Sequence, residues 1–441
     1  MKSVRNRLRA AGVLVAIGAT LLASAACGSG DRSKQSSSTP SGSANTSATA
    51  ASTGAAAPGT PIKIGVLAPT SGVLGGSGAP IKESVDLWLN QHGKTLGGHP
   101  VELYSADTKS TVDGAVAAAR SLVEQDHVSV VLGLVNSAGA LAVRDYLTRS
   151  KVLALDVVAN TDALLDPAKG PYMFVMPPTP KQTAAAAVAL AETLKYKSVD
   201  VVADNFDGAR SWVDPLVAKL KQNGGTIVSA QYPPFPTSDY GAYISRIQSS
   251  AANTDAVVAL MYGGDALAFL KQYKSFNVTL PLYSVGAMLE PTSTLLPATK
   301  GTADGMYTYW NYSPALPSNA NETFVGLYKS GLQRDPGAFD MQTYTALDLL
   351  AAAYTAAGGD DPTTEQLANA MTTVRVDSPA GEVGFNADHG IDWSMYLMRV
   401  VKSQSGSAAM IPQGPYVPDA QASQSVADAT ASLKQLPAAA S

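Results

Sequence analysis

From Ile62 onward the chain repeats one alternation. Short apolar runs give way to stretches in which apolar residues recur every three or four positions. Ile62-Lys63-Ile64-Gly65-Val66-Leu67 reads as a strand. A Gly/Ser loop over 71–78 follows, and then Ile81, Val85, Trp88 and Leu89 share one helical face, with Pro80 suited to a first turn. The same logic predicts strands at 101–104, 128–133, 152–155, 199–203, 226–228, 256–261 and 280–283. Helices are predicted between them at 112–125, 138–148, 181–195, 209–223, 239–250 and 264–275. An aromatic stretch (Tyr307, Tyr309, Trp310, Tyr312) comes next, with helices over 320–332, 338–357 and 363–373. Strand-like Gly384-Phe385 and 396–401 close the pattern.

Strands alternating with helices predict parallel sheets covered on both faces, and the unit occurs twice. The folded part, from about Pro61 to Pro412, holds roughly 350 residues, more than one hydrophobic core usually organises. The expected fold class is therefore α/β, with two doubly wound parallel-sheet lobes. Open parallel sheets bind ligands beyond the carboxyl ends of their strands, and two such lobes facing each other make a cleft.

The ends differ in character. Lys2, Arg5, Arg7 and Arg9 precede an apolar run from Ala10 to about Leu22, then Ala23-Ser24-Ala25-Ala26 and Cys27. That order is an export signal. The apolar run is short of the ~20 residues a membrane span needs. Small residues before a cysteine resemble a bacterial lipobox, with Ser24 where leucine is usual. The resemblance implies signal removal (1–26), diacylation of Cys27 and lipid anchoring on the extracytoplasmic face of the cell membrane. Two acyl chains give the stable attachment that one does not. Plain secretion and an uncleaved anchor are the alternatives. Residues 28–60 are Gly, Ser, Thr, Ala and Pro and read, with Cys27, as a flexible lipidated tether. Residues 413–441 turn Ala/Ser/Gln-rich and read as a loosely ordered tail.

The formal charge of −4 becomes more negative once four basic signal residues are removed, and no basic patch appears, so nucleic acid is not an expected partner. Cys27 is the one cysteine, which leaves no internal disulfide or Cys-based metal cluster. His92, His99, His127 and His389 lack metalloprotease spacing, and neither a G-x-S-x-G elbow nor a Walker A motif occurs. No enzyme activity, cofactor or metal is expected.

The folded part resembles the solute-binding lipoproteins of ABC importers for branched-chain amino acids, amides and related molecules. The resemblance lies in the stretch 64–72, the Asn90–Gly98 segment, Asp107, Val131-Leu132-Gly133 through Ser137, Tyr344 with Asp348, and Gly381-Glu382-Val383-Gly384-Phe385 followed by Gly390. It implies a type I periplasmic-binding-protein fold with a three-crossover hinge. Lobe one would comprise 61–177 plus 309–388, and lobe two 178–308 plus 389–412. It also implies capture of a small solute (amino acid, amide or organic acid) by hinge closure and delivery, as a monomer, to a membrane permease. A sensor that signals without transport would use the same residues.

Candidate ligand residues follow from the resemblance and from local chemistry. Ser137 and Ala138 open a helix suited to an anion; Ser137 would also serve as an ordinary N-cap. Val158, Asn160 and Thr161 follow a strand, and Asn160 can donate and accept or simply form a turn. Ser77 stands where relatives often carry an aromatic residue, or caps the helix at Pro80. Phe206 and Asp207 precede Gly208, and Asp207 could pair with a cation or cap a helix. Tyr262 matches a cleft tyrosine or is a core residue. Val285 lies in Ser284-Val285-Gly286-Ala287-Met288, where amino-acid-binding members place a glutamate for the ligand ammonium. Unless Asp207, Asp265 or Glu290 substitutes, the expected solute lacks an α-amino group. Tyr307, Tyr309, Trp310 and Tyr312 would line the cleft edge or pack a hinge strand.

Overall fold

A computed structural model describes residues 59–402 and 408–416. Cys27, the export signal and most of the tether and tail lie outside the described residues. The first sheet holds β1 (Ile62–Ala68), β2 (Thr95–Leu96), β3 (His99–Asp107), β4 (Val130–Gly133), β5 (Leu153–Asp156) and β6 (Met173–Val175). Its helices are α1 (Gly78–Gln91), α2 (Val112–Glu124) and α3 (Ser137–Arg149).

The chain then passes through residues 176–179 into α4 (Pro180–Thr193) and β7 (Ser198–Ala203). There follow α5 (Asp207–Gln222), β8 (Thr226–Gln231), α6 (Gly241–Ser250), β9 (Ala256–Leu260), α7 (Gly263–Ser275), β10 (Leu282–Val285), α8 (Leu295–Ala298) and β11 (Tyr307–Trp310). A second passage, 311–318, leads back to α9 (Asn319–Leu332), α10 (Ala338–Ala357), α11 (Thr364–Met371) and the hairpin β12 (Val376–Ser378) and β13 (Gly381–Val383). A third passage delivers β14 (Met395–Lys402) and β15 (Ala408–Tyr416) to the second sheet.

The strand orders are β2-β3-β1-β4-β5-β6 and β15-β14-β11-β10-β9-β7-β8. Stripped of antiparallel edge strands, each sheet has the same five-strand parallel order, reversing between β1 and β4 and between β7 and β9. These are switch points at which adjacent loops diverge and leave a crevice.

Sequence-predicted elements recur with small shifts, and 338–357 coincides with α10. The expected strand at 384–385 is instead a single bridge between Phe385 and Ile391, with β13 ending at Val383. The aromatic stretch supplies β11, where Thr308, Tyr309 and Trp310 are buried.

Burial explains the regular elements. β1, β4, β5, β7 and β9 are almost wholly buried because helices cover both faces, so their sequences run apolar instead of alternating. The first and third passages are tied together: the Trp393 indole N–H donates to the Met176 carbonyl, Gln182 Nε2 donates to Ile391 O at 3.1 Å, and Val175 N donates to His389 O at 2.9 Å. Thr179 and Gln182 close a capping box where α4 begins, so the chain leaves the first passage in a fixed direction.

Candidate functional site

The loops at both switch points face one cavity of about 220 Å³. Its first-sheet wall comes from the loop after β1 (Val73, Leu74, Gly76, Ser77), the β4–α3 turn (Val135, Ser137) and the segment after β5 (Val158, Asn160). Opposite stand Phe206, Gly208 and Trp212 at the start of α5, and Tyr262, Gly263 and Gly264 at the start of α7. Ala287, Glu290, Thr294, Trp310, Phe339 and Gln342 are among the residues that close it.

Five aromatic residues line this space: Phe206, Trp212, Tyr262, Trp310 and Phe339. Trp212 and Trp310 lie 5.3 Å apart between ring centroids, and Phe206 meets Tyr262 edge-on at 5.3 Å. Two glycines permit the arrangement. A side chain at Gly286 would run into the Trp310 ring. Gly263 begins α7 at φ +54, a conformation other residues adopt at a cost. Beneath Tyr262, the Asp204 carboxylate accepts from Tyr262 N at 3.0 Å and from Tyr240 OH at 2.9 Å, fixing the backbone that carries the ring.

The polar lining is sparse. Among the described residues, Glu290 is its one ionisable carboxylate, and no Lys, Arg or His lines it. Glu290 Oε1 accepts from Ala338 N at 2.9 Å and from Trp310 Nε1 at 3.3 Å, and Oε2 accepts from Thr292 N at 2.9 Å. The carboxylate thus serves the N-terminus of α10, whose N-cap, Gly337, has no side chain to do so. Burial pushes its pKa up to about 7, against the pull of these donors.

Ser137, Asn160 and Ser211 form a chain of bonds beside the cavity. Ser137 Oγ donates to Asn160 O at 3.0 Å, and Ser211 Oγ, from α5, donates to the same carbonyl at 2.8 Å. Asn136, not Ser137, is the N-cap of α3, its side chain accepting from Gly139 N at 2.9 Å. Ser137 is thereby the first helical residue, and its hydroxyl turns to Asn160.

Of the sequence candidates, Ser77, Ser137, Val158, Asn160, Phe206 and Tyr262 lie on the cavity wall. Ser77 makes no side-chain cap bond to α1. Ala138, Thr161, Asp207 and Val285 are not on that wall. Asp207 is exposed in the first turn of α5, with Phe206 at the N-cap position, so it neither caps nor faces the cavity. Thr161 caps the short helical turn at Asp162–Leu164. Val285, the last residue of β10, is 2% exposed and packs in the core. Asp265 accepts from Thr237 N at 2.6 Å, away from the lining. Trp212, Phe339 and Gln342 escaped sequence reading because helix packing, not local motif, brings them here.

Comparison with known proteins agrees with this architecture. A family model described as "Periplasmic binding protein" matches residues 61–406. A Leu/Ile/Val-binding protein homolog 6 of Brucella melitensis is 26% identical over 356 residues, spanning 78% of this chain and 89% of that protein. Among solved structures, an ABC transporter substrate-binding protein from Sphaerobacter thermophilus is 31% identical with a TM-score of 0.75, covering 81% of this chain and 98% of the other. A solute-binding protein of an ABC transporter from R. palustris, in complex with 4-hydroxybenzoate, is 24% identical with a TM-score of 0.75, covering 81% and 97%.

Proposed function

We propose that this chain, which belongs to the periplasmic binding protein family, captures a small organic solute between its two lobes and delivers it to an ABC importer. The observation that carries the reading is the aromatic-walled cavity at the two facing switch points, entered by loops of both sheets. An engineered cavity of about 150 Å³ holds benzene. At about 220 Å³ this one suits a single substituted ring or a branched chain of similar bulk.

The solute we infer lacks an α-ammonium group. The one carboxylate on the wall already accepts three protein hydrogen bonds, which leaves about one of its four acceptor sites and holds it to the α10 terminus, and a buried ammonium so poorly partnered is costly. The R. palustris relative holds an aromatic acid in the same fold, which supports an aromatic or bulky apolar guest. Burying about 200 Å² of ring surface at about 25 cal/mol per Å² is worth about 5 kcal/mol. A micromolar Kd needs about 8 kcal/mol, so polar contacts must supply the remainder.

Delivery to a permease rests on the relatives' role in ABC transporters. Tethering outside the cytoplasm rests on Cys27 and the signal ahead of it. Isothermal titration of the protein with leucine, isoleucine, valine, benzoate and 4-hydroxybenzoate tests the solute class. Tight binding of any of the three amino acids would overturn the absence of an ammonium. Chromatography of the released solute should return it unaltered, and a converted product would overturn capture without catalysis.

A further inference from the structure

We infer that Asn160 and Gln342 form a polar subsite in this cavity that selects an uncharged solute bearing an O–H or N–H donor beside its apolar body; the inference rests on the solute-binding reading above. Among the described residues, eight buried side-chain polar atoms lack a hydrogen-bond partner. Asn160 Oδ1 and Gln342 Oε1 are the two whose residues line the cavity. Asn160 is 3% exposed and Gln342 fully buried. Buried polar atoms are ordinarily paired, so a pair left open on a cavity wall points to a bound guest.

The chemistry of the missing guest can be read from the partners already present. Asn160 Nδ2 donates to the Pro178 carbonyl, which can only accept. The orientation of that amide is thereby fixed, and the atom left open is its oxygen, which demands a donor. Gln342 Nε2 reaches Asn311 Oδ1 at a long 3.5 Å, and Asn311 Nδ2 is also unpartnered. Asn311 does not line the cavity, so the open atom on the wall is Gln342 Oε1, and turning both amides would present Gln342 Nε2 there instead. An amide or a hydroxyl offers both a donor and an acceptor.

Charged head groups fit less well. A carboxylate offers acceptors alone, so it would set oxygen against Asn160 Oδ1, on a wall without a cation and with Glu290 nearby. An ammonium would look for a carboxylate, yet both oxygens of Glu290 already accept from Ala338, Trp310 and Thr292.

The test uses two apolar bodies, each with three head groups. Benzamide, benzoate and benzylamine form one set, and isovaleramide, isovalerate and isoamylamine the other. Titrated calorimetrically against the full chain, each amide should bind at least tenfold more tightly than the acid and the amine of its set. Gln342→Met should abolish that preference, with thermal melting to establish that the variant folds. Gln342→Glu, close to isosteric, should move the preference toward the amine. Equal or tighter binding of an acid or amine by the wild type, or an undiminished preference in Gln342→Met, would overturn the inference. Absence of heat with all six overturns this subsite alone; failure of any small molecule to bind across a metabolite library would remove the solute-binding reading beneath it.

Discussion

The hydroxyl of Ser211 donates across the cleft to the backbone carbonyl of Asn160 at 2.8 Å. Ser211 belongs to α5 of the second lobe, and Asn160 follows β5 of the first. The bond joins the lobes without Ser211 lining the cavity. Ser211→Ala should therefore weaken this joined arrangement of the lobes without altering what the cavity recognises. One hydrogen bond is worth about 1 kcal/mol, so calorimetry should find every bound solute weakened by the same factor, about fivefold. A loss confined to some solutes would show that Ser211 contributes to recognition.

Glu290 predicts a pH dependence. Folding raises its pKa from an ordinary 4.5 to about 7 because the carboxyl is buried. The folded state then holds the proton more tightly than the unfolded chain. Its contribution is complete below about pH 4.5 and is lost as pH rises through about 7. Asp204, also raised to about 7, and Asp348, raised to about 6, act with the same sign through burial. Urea titrations should give stability falling from pH 5 to 8. Glu290→Gln should flatten part of that fall, by up to about 3 kcal/mol at 1.36 kcal/mol per pKa unit. An identical slope in the variant would contradict the assignment.

Trp310 joins wall and core. It is 1% exposed, packs near Trp212 and donates to Glu290. Trp310→Ala should cost about 3–5 kcal/mol in chemical unfolding, the usual loss for a large buried ring. Trp310→Phe should retain most of the stability and lose solute affinity instead.

At the start of α3 the two polar neighbours have separate roles. Asn136→Ala removes the cap on Gly139 N and should lower stability by about 1 kcal/mol. Ser137→Ala keeps that cap and loses the bond to Asn160, so titration should register it more strongly than melting does. The reverse ranking would return the capping role to Ser137.

The two-lobed fold was legible in the sequence because parallel strands buried on both faces read as unbroken apolar runs, as in 130–132 and 256–261. Asn136 was passed over because the serine beside it is an equally good cap; only the backbone distinguishes them. Val285 stands one residue before the turn that enters the cavity wall at Ala287, so strand alternation sends its side chain to the core. Gln342 lies among Asp340, Thr343 and Thr345 in the polar first half of α10, where nothing local distinguishes it, and only the packing of that helix against the cavity gives it a purpose. Glu290 could be singled out as an available carboxylate, but its commitment to the α10 terminus depends on a contact 48 residues away.

The most direct test of solute capture is a crystal structure of the protein with its bound guest. The expected result is one unaltered molecule enclosed between the lobes, its apolar body against Trp310 and Tyr262 and its polar end within hydrogen-bond reach of Asn160. A guest bound elsewhere while this cavity holds only water, or a chemically converted molecule in its place, would contradict it.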